Sequence, residues 1–222
     1  MKRMLSPGIR AFTLAELLVT VALVGALVAL TFPATGKVLS QGRQAKCLSG
    51  LRQIQQANIL YAQDNDGGFV PIFVNDSNGN QKWWFSDRTF VTLLGRPTNM
   101  TATLPPGLRC PLARVSGEPG WGYNSTGLTG GTSEPGHVRQ LRQAQIARPS
   151  QTIAFIDALD RQVYSSGVSK YLGEETKISH ATAYRHGDKS VANAVFWDGH
   201  AESIPREQLI ANKAQYFDSL NP

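Results

Sequence analysis

The sequence predicts an α+β protein in which a long N-terminal helix packs on a small antiparallel β-sheet, with the first half of the helix crossing a membrane. Three observations predict it: an apolar run from Phe12 to Phe32, a helical repeat that resumes after Pro33, and two strand-like runs near the C-terminus. The chain has 222 residues, 41% of them hydrophobic, which is enough for a folded core.

The formal net charge of +6 does not indicate a nucleic-acid-binding protein. Such a protein gathers Lys and Arg on one face with aromatic or groove-entering elements, whereas here the basic residues are scattered. Lys2, Arg3 and Arg10 lie just before the apolar run, with no acidic residue among them. The sequence therefore predicts no nucleic-acid partner.

The apolar run has 21 residues, and its only ionisable side chain is that of Glu16. A helix of this length rises about 31 Å, close to the ~30 Å hydrocarbon core of a bilayer. The basic residues before it favour a cytoplasmic N-terminus, because positive charge tends to stay inside. We therefore expect a transmembrane helix at 12–33 and a periplasmic location for the rest of the chain.

The order of polar and apolar segments differs from that of a secretory signal, which places its cleavage site after the apolar region. Here the polar break lies before it, at Ser6 to Ala11, as is typical of a leader at 1–11 that is cut on the cytoplasmic side. Glu16 lies one turn inside the apolar run, where an unpaired carboxylate would cost ~2.5 kcal/mol or more. Two interpretations stay open: the side chain reaches the interface, or it pairs with a positive group of another subunit.

A nine-residue stretch resembles the signature of type IV prepilins and type II secretion pseudopilins, with the sequence Ala11-Phe12-Thr13-Leu14-Ala15-Glu16-Leu17-Leu18-Val19. The resemblance implies that a prepilin peptidase cuts between Ala11 and Phe12 and methylates the new amine. The family normally has Gly before the cut, and this chain has Ala11, the next smallest side chain. The resemblance further implies that the amine of Phe12 in one subunit neutralises Glu16 of its neighbour during assembly.

The same resemblance implies a pilin-like fold and a structural function, that of a subunit of a type II secretion pseudopilus. Its partners would be the prepilin peptidase, other pilin or pseudopilin subunits in a helical polymer, and an inner-membrane assembly platform. The implied location is the bacterial inner membrane, as a single-pass protein that enters a filament after assembly. Two alternatives stay open: a type IV pilus or competence pilin, and a periplasmic binding domain tethered by the helix.

Beyond Pro33, apolar residues recur at three- and four-residue spacing, which predicts the soluble half of the same helix at 34–63. The repeat consists of Val38, Ala45, Leu48, Leu51, Ile54, Asn58 and Tyr61. Pro33 lacks an amide proton and disfavours helical geometry at Phe32, so we expect a helix kink there, with a plain helix boundary as the alternative.

The remainder of the chain, 64–222, is predicted to be a globular α+β head. We expect a short helix from Ser86 to Leu94, an aromatic core cluster at Trp83-Trp84-Phe85, extended segments from Phe69 to Val74 and Trp121 to Asn124, and a buried strand from Ile153 to Ile156. The clearest pair of strands is 191–197 and 200–204. Asp198 and Gly199 join them, and this dipeptide favours a two-residue hairpin turn.

The two cysteines, Cys47 and Cys110, form no CxxC pair and have no His at zinc-ligand spacing. A disulfide that closes a loop of about 60 residues and a pair of buried thiols are both open. The turn at Asp64 lacks the acid that an EF-hand needs at its twelfth position, where Asn75 stands. We therefore predict no cofactor and no metal, with a structural calcium ion as the alternative.

Three further side chains, those of His186, Asp198 and His200, are of the types that bind metals or carry protons. We interpret His186 and Asp198 instead as residues whose hydrogen bonds fix a loop and a turn. This region resembles prepilin-like proteins of Planctomycetes and Verrucomicrobia, which end in a His followed at some distance by Asp-Gly. No catalytic serine–histidine–aspartate order, phosphate loop or carboxylate pair is recognised, so we predict no enzymatic activity.

Overall fold

The computed structural model describes residues 12–96, 104–128, 138–173 and 176–220. The predicted leader at 1–11, which includes Ala11, lies outside the described residues. The chain divides after Gln41 into two compact units. A single helix, α1, contributes its N-terminal part to the first unit and its C-terminal part to the second.

The helix α1, Leu14–Gln63, begins with a capping box. The Thr13 hydroxyl accepts a hydrogen bond from the backbone N–H of Glu16 at 3.2 Å, and the Glu16 carboxylate accepts one from the backbone N–H of Thr13 at 2.9 Å. The chain turns away after the helix because Gly67 adopts a positive φ and its N–H bonds back to the carbonyl of Ala62. Both ends of α1 are therefore closed by local hydrogen bonds.

No helix in the described part of the chain is both long and apolar enough to cross a membrane. The predictions of a transmembrane helix and of a single-pass location in a bacterial inner membrane are therefore wrong. α1 is continuous through Pro33, and a kink there stays a prediction.

The predicted fold class, a long helix on one small antiparallel sheet, is also wrong. The described strands form two sheets, and one of these contains a parallel pair. The strands are β1 (Phe73–Asn75), β2 (Gln81–Trp83), β3 (Trp121–Asn124), β4 (Val138–Arg139), β5 (Ile153–Asp157), β6 (Gln162–Val163), β7 (Val191–Phe196) and β8 (Ala201–Pro205). The smaller sheet has the order β2-β1-β4, and the larger has the order β6-β3-β5-β7-β8, with β3 and β6 parallel. Apart from β7 and β8, the neighbouring strands of the larger sheet are not consecutive in the chain.

Several local predictions are confirmed. β5 covers the predicted buried strand, and β3 covers the predicted extended segment. The short helix is α2, Arg88–Leu93, and its N-cap is Asp87, whose side chain accepts a hydrogen bond from the N–H of Phe90 at 2.8 Å. Two further short helices, α3 (Arg206–Ala211) and α4 (Lys213–Phe217), follow β8.

The strands β7 and β8 form a hairpin in which Val195 lies opposite Ala201. The connection spans Trp197 to His200, so it is two residues longer than the predicted Asp198-Gly199 turn. Gly199 has a φ of 97°, a conformation that glycine adopts without strain. The sequence therefore located the turn but underestimated its length.

Buried apolar side chains form two clusters in the second unit. Val195 belongs to the first cluster, whereas Ala194 and Phe196 belong to the second, because alternate residues of a strand point to opposite faces of the sheet. Trp84, the middle residue of the predicted aromatic cluster, is fully buried in the first, with its ring centroid 5.0 Å from that of Phe155. Core packing is thus the role of this tryptophan.

Among the described residues, α1 contributes to the core only from Cys47 onward. The predicted apolar face is correct at Leu51, Ile54, Asn58 and Tyr61, all of which are buried. It is wrong earlier in the helix, where Val38 is 63% exposed. The sequence repeat continues along α1, but the buried residues of the helix begin only at Cys47, about five turns before its end.

Candidate functional site

The described part of the first unit exposes apolar side chains on every side of α1. Consecutive helical residues point about 100° apart, so neighbouring exposed leucines and valines cover different faces. Each member of this apolar surface is between 54% and 79% exposed, and its members are Phe12, Leu14, Leu17, Leu18, Val19, Val21, Leu23, Val24, Leu27 and Val28. A surface of this kind marks a site of interaction.

Glu16 lies at the start of this apolar surface, and its carboxylate is held by Thr13. The backbone N–H and the hydroxyl of Thr13 each donate to the same carboxylate oxygen at 2.9 Å. These two bonds, the backbone bond first, lower the pKa of Glu16 from its ordinary value, so the carboxylate is charged at neutral pH. We predicted Glu16 as an assembly residue and missed its capping role, although the Thr-x-x-Glu signature is visible in the sequence.

The predicted processing site lies at the edge of the described chain. Phe12 directly precedes the capping box, and its side chain is 77% exposed. Ala11, on the other side of the expected cut, lies outside the described residues. Cleavage between these two residues and methylation of Phe12 stay predictions.

The second unit contains a buried polar centre around Asp157, the last residue of β5. One oxygen of Asp157, Oδ1, lies 3.1 Å from Nη1 of Arg185, which donates to it. The other, Oδ2, accepts from the backbone N–H of Asn193 at 2.8 Å and lies 3.4 Å from Nε2 of His186. The side chains of Asp157, Arg185 and His186 are at most 2% exposed, so this centre is closed to bulk water.

A disulfide lies directly beside this centre and joins Cys47 of α1 to Cys110, with the two Cα atoms 5.0 Å apart. The Sγ atom of Cys110 is 3.8 Å from Nε2 of His186. Both sulfurs and a ring nitrogen of His186 lie within 4.8 Å of one another. The sequence offered these two cysteines as a possible pair but not their contact with His186, because no local pattern connects positions so far apart.

The structure places His186 apart from Asp198 and His200, the other two side chains of metal-binding or proton-carrying type in this region. Asp198 and His200 pair with each other at the exposed hairpin turn, where Oδ1 of Asp198 accepts from the backbone N–H of His200 at 3.1 Å and lies 2.6 Å from its Nδ1. Their side chains are 37% and 45% exposed. Asp198 therefore fixes the turn, as we interpreted it, and His186 belongs to a different place.

A second ionic cluster surrounds Glu118, whose side chain is 4% exposed. It accepts hydrogen bonds from Arg161 and, at 2.6 Å, from Nζ of Lys177. Asp160 lies 3.4 Å from the same Lys177 nitrogen, and its second oxygen accepts from the backbone N–H of His180. The charges of the two acids, Glu118 and Asp160, balance those of the two cations, Arg161 and Lys177. We interpret the cluster as a set of ion pairs that stabilises the fold.

No family model, no curated protein and no solved structure matches this chain.

Proposed function

We propose that this chain is a structural subunit of a helical filament of the type II secretion pseudopilus kind, assembled through its N-terminal helix. The observation that carries the proposal is the apolar surface of α1 between Phe12 and Val28, exposed on all sides. Burying one Leu, Val or Phe side chain contributes roughly 1.5–3 kcal/mol, so covering this surface supplies a large driving force for association. The resemblance of residues 11–19 to the prepilin signature supports the same function.

The partner that we propose for this surface is α1 of further copies of the chain. In a helical array of parallel helices, the apolar side chains of one copy cover those of the next. A contact between two different faces of identical subunits repeats from copy to copy, and it produces a filament when the rotation between copies does not close into a ring. An α1 that is apolar on every side accepts neighbours on several faces at once, as a multi-stranded array requires.

Glu16 supplies the specific charge in this proposal. A chain cut between Ala11 and Phe12 begins with an amine on Phe12, which in an array lies near Glu16 of an adjacent copy. Carboxylate oxygens accept several hydrogen bonds, so the capping box leaves room for this amine. Apolar side chains around the pair exclude water, and attraction between opposite charges strengthens as the local dielectric constant falls.

The first test separates the charge of Glu16 from its capping role. Glutamine also completes a capping box, so Glu16→Gln keeps the start of α1 and removes only the charge. We expect at least tenfold less chain in filaments, with unchanged hydrogen-exchange protection of the first α1 amides. Glu202→Gln, at an exposed carboxylate of β8, is the control and leaves assembly unchanged. Normal assembly of Glu16→Gln would show that the charge pair is wrong.

The second test addresses association through the apolar surface. Val21→Asp places a charge in the middle of that surface, and we expect the chain that begins at Phe12 to sediment as a polymer while this variant of it does not. Leu172→Asp is the matched control, because Leu172 is 91% exposed and lies in the second unit. A chain beginning at Phe12 that stays monomeric at every concentration contradicts the proposal.

Processing is tested by mass spectrometry of the N-terminus after co-expression with a prepilin peptidase. We expect a mature chain that begins with methylated Phe12. An N-terminus that keeps Met1 in assembled material would show that the leader is not removed and that Phe12 offers no amine to Glu16.

A further inference from the structure

The buried cluster of Cys47, Cys110 and His186 has the composition of a metal centre, although the proposed filament function makes no use of it. Among the described residues, the ligand atoms of these three side chains all lie within 4.8 Å of one another, which is close enough for them to bind one metal ion. The exposed fractions of these three residues are 0%, 2% and 3%. Asp157, with no exposed surface, places Oδ2 3.4 Å from Nε2 of His186 and so provides a fourth candidate ligand.

We propose that, when Cys47 and Cys110 are reduced, these four side chains form a tetrahedral site for a divalent cation that favours thiolate ligands, such as zinc. The same two sulfurs then have two alternative states: a disulfide, or a pair of thiolates on the metal. The ligands are Sγ of Cys47 and Cys110, Nε2 of His186 and Oδ2 of Asp157. Two sulfurs, one imidazole nitrogen and one carboxylate oxygen suit zinc, which binds all three ligand types.

The distances support this assignment. Bonds of about 2.3 Å to sulfur and about 2.0 Å to nitrogen or oxygen give tetrahedral edges of about 3.5 Å from sulfur to nitrogen and about 3.3 Å from nitrogen to oxygen. The corresponding separations here are 3.8 Å from Cys110 Sγ to His186 Nε2 and 3.4 Å from that nitrogen to Asp157 Oδ2. Two of the six edges of the tetrahedron, both of them ending at His186 Nε2, are therefore already close to their final length. Asp157 lies outside the group of mutually close ligand atoms, so its carboxylate moves toward the sulfurs as these separate on reduction and the metal binds.

The surroundings hold the ligands in place. Oδ1 of Asp157 accepts from Arg185, and the Asn193 N–H donates to Oδ2, which leaves that oxygen a second lone pair for a metal. His186 is held through its backbone, whose N–H and carbonyl both bond to Val191. Such outer contacts orient metal ligands. The charges also cancel, since two thiolates, one carboxylate, Arg185 and a divalent cation sum to zero.

The chemistry of the exchange balances with a dithiol as the reductant. Its two thiols become a disulfide, and their electrons and protons convert the Cys47–Cys110 bond into two thiols. Metal binding then forms two metal–sulfur bonds and releases both protons. Because the site is buried in the folded chain, both reduction of the disulfide and entry of the metal take place while the chain is unfolded, and folding then closes the site around the metal.

The test refolds the full-length chain in the presence of a phosphine reductant and Co²⁺, which reports thiolate ligation through charge-transfer absorption and tetrahedral geometry through its visible bands. We expect one Co²⁺ per chain, displacement of Co²⁺ by Zn²⁺, and no bands for the chain refolded with its disulfide. His186→Asn should weaken binding at least tenfold and shift the visible bands. His200→Asn, at the exposed turn, is the matched control and should bind as the unaltered chain does.

Two results would overturn the proposal. One is a reduced chain that takes up no Co²⁺ on refolding, whether or not it reaches a folded state by near-ultraviolet circular dichroism. The other is a spectrum and affinity that stay the same in His186→Asn, which would place the metal on the cysteines without the histidine. Filament assembly is not needed for either measurement, so this test is independent of the proposed function.

Discussion

Gly50 shows how a single methyl group can decide packing in this protein. A Cβ at this position would lie 2.6 Å from the ring of Trp121 and 2.9 Å from the carbonyl oxygen of Leu108. The missing side chain therefore allows α1 to approach β3 closely. At Gly42, on the same helix, a Cβ would meet nothing within 4 Å.

These two glycines form a matched pair for mutation. We expect Gly50→Ala to lower the free energy of unfolding by ~1–3 kcal/mol through overpacking. Gly42→Ala should raise it by ~0.5–1 kcal/mol, because alanine favours the helix and no contact opposes it. Denaturant unfolding of both variants measures the difference. Equal effects at the two positions would contradict the close approach at Gly50.

His180 makes stability depend on pH. Burial lowers the pKa of His180 from its ordinary value of 6.5, and the cations of Lys170, Arg139 and Lys177 act in the same direction against the opposing charge of Asp160. The His180 Nε2 atom lies 3.0 Å from the amide nitrogen of Gln162, which donates to the neutral ring. Protonation would remove that acceptor.

The sign of the effect follows from proton linkage. The unfolded chain binds the proton of His180 more readily than the folded chain, so the contribution of His180 to the free energy of unfolding is constant above about pH 6.5 and falls as the pH drops below it. His180→Asn should flatten this part of the profile, since asparagine tolerates the positive φ of 60° at this position. Unfolding free energies at several pH values measure the slope. An unchanged slope in the variant would exclude His180 as its source.

At the scale of elements, α2 depends on one side chain outside it. Its six residues are too few to form an isolated helix, and Asp87 satisfies the N–H of Phe90. We expect Asp87→Ala to cost ~1 kcal/mol of unfolding free energy, whereas Asp87→Asn, which keeps an acceptor, should cost much less. Thermal or denaturant unfolding distinguishes the two. Equal losses would show that the charge of Asp87 matters more than its hydrogen bond.

At the scale of the whole molecule, the two units make separate contributions to stability. Cys47 is the first buried apolar residue in the described chain, and all members of the two core clusters follow it. Removal of residues 1–41 should therefore change the melting temperature of the remainder by only a few degrees.

A longer deletion provides the control for that truncation. Removal of residues 1–55 also eliminates Cys47, Leu51 and Ile54 from the core, and we expect it to abolish cooperative unfolding, since each such loss costs ~2–5 kcal/mol. Calorimetry of both truncated chains measures the melting temperature and the cooperativity of unfolding of each. A large destabilisation by the shorter deletion would show that the first unit supports the core.

The sequence by itself determined those features whose causes lie within a few residues of one another. The cap at Asp87, the strand at Ile153–Asp157 and the turn at Asp198 and Gly199 all come from local hydrogen bonding, burial runs and backbone preference. The same signals predicted a helix at α1 and an apolar face that is correct from Leu51 onward. Hydrophobicity alone also predicted the membrane span, which is wrong because no helix in the described part of the chain is both long and apolar enough to cross a membrane.

Only the tertiary structure decided the arrangement of the sheets and the composition of the buried centre. β3 pairs with both β5 and β6, and Asp157 bonds to Arg185 and Asn193, which lie 28 and 36 residues later. His186 meets Cys110 across 76 residues. Contacts at such separations depend on the total burial and pairing of the whole chain, and no short sequence pattern encodes them, which is why His186 was assigned to a loop and found beside a disulfide.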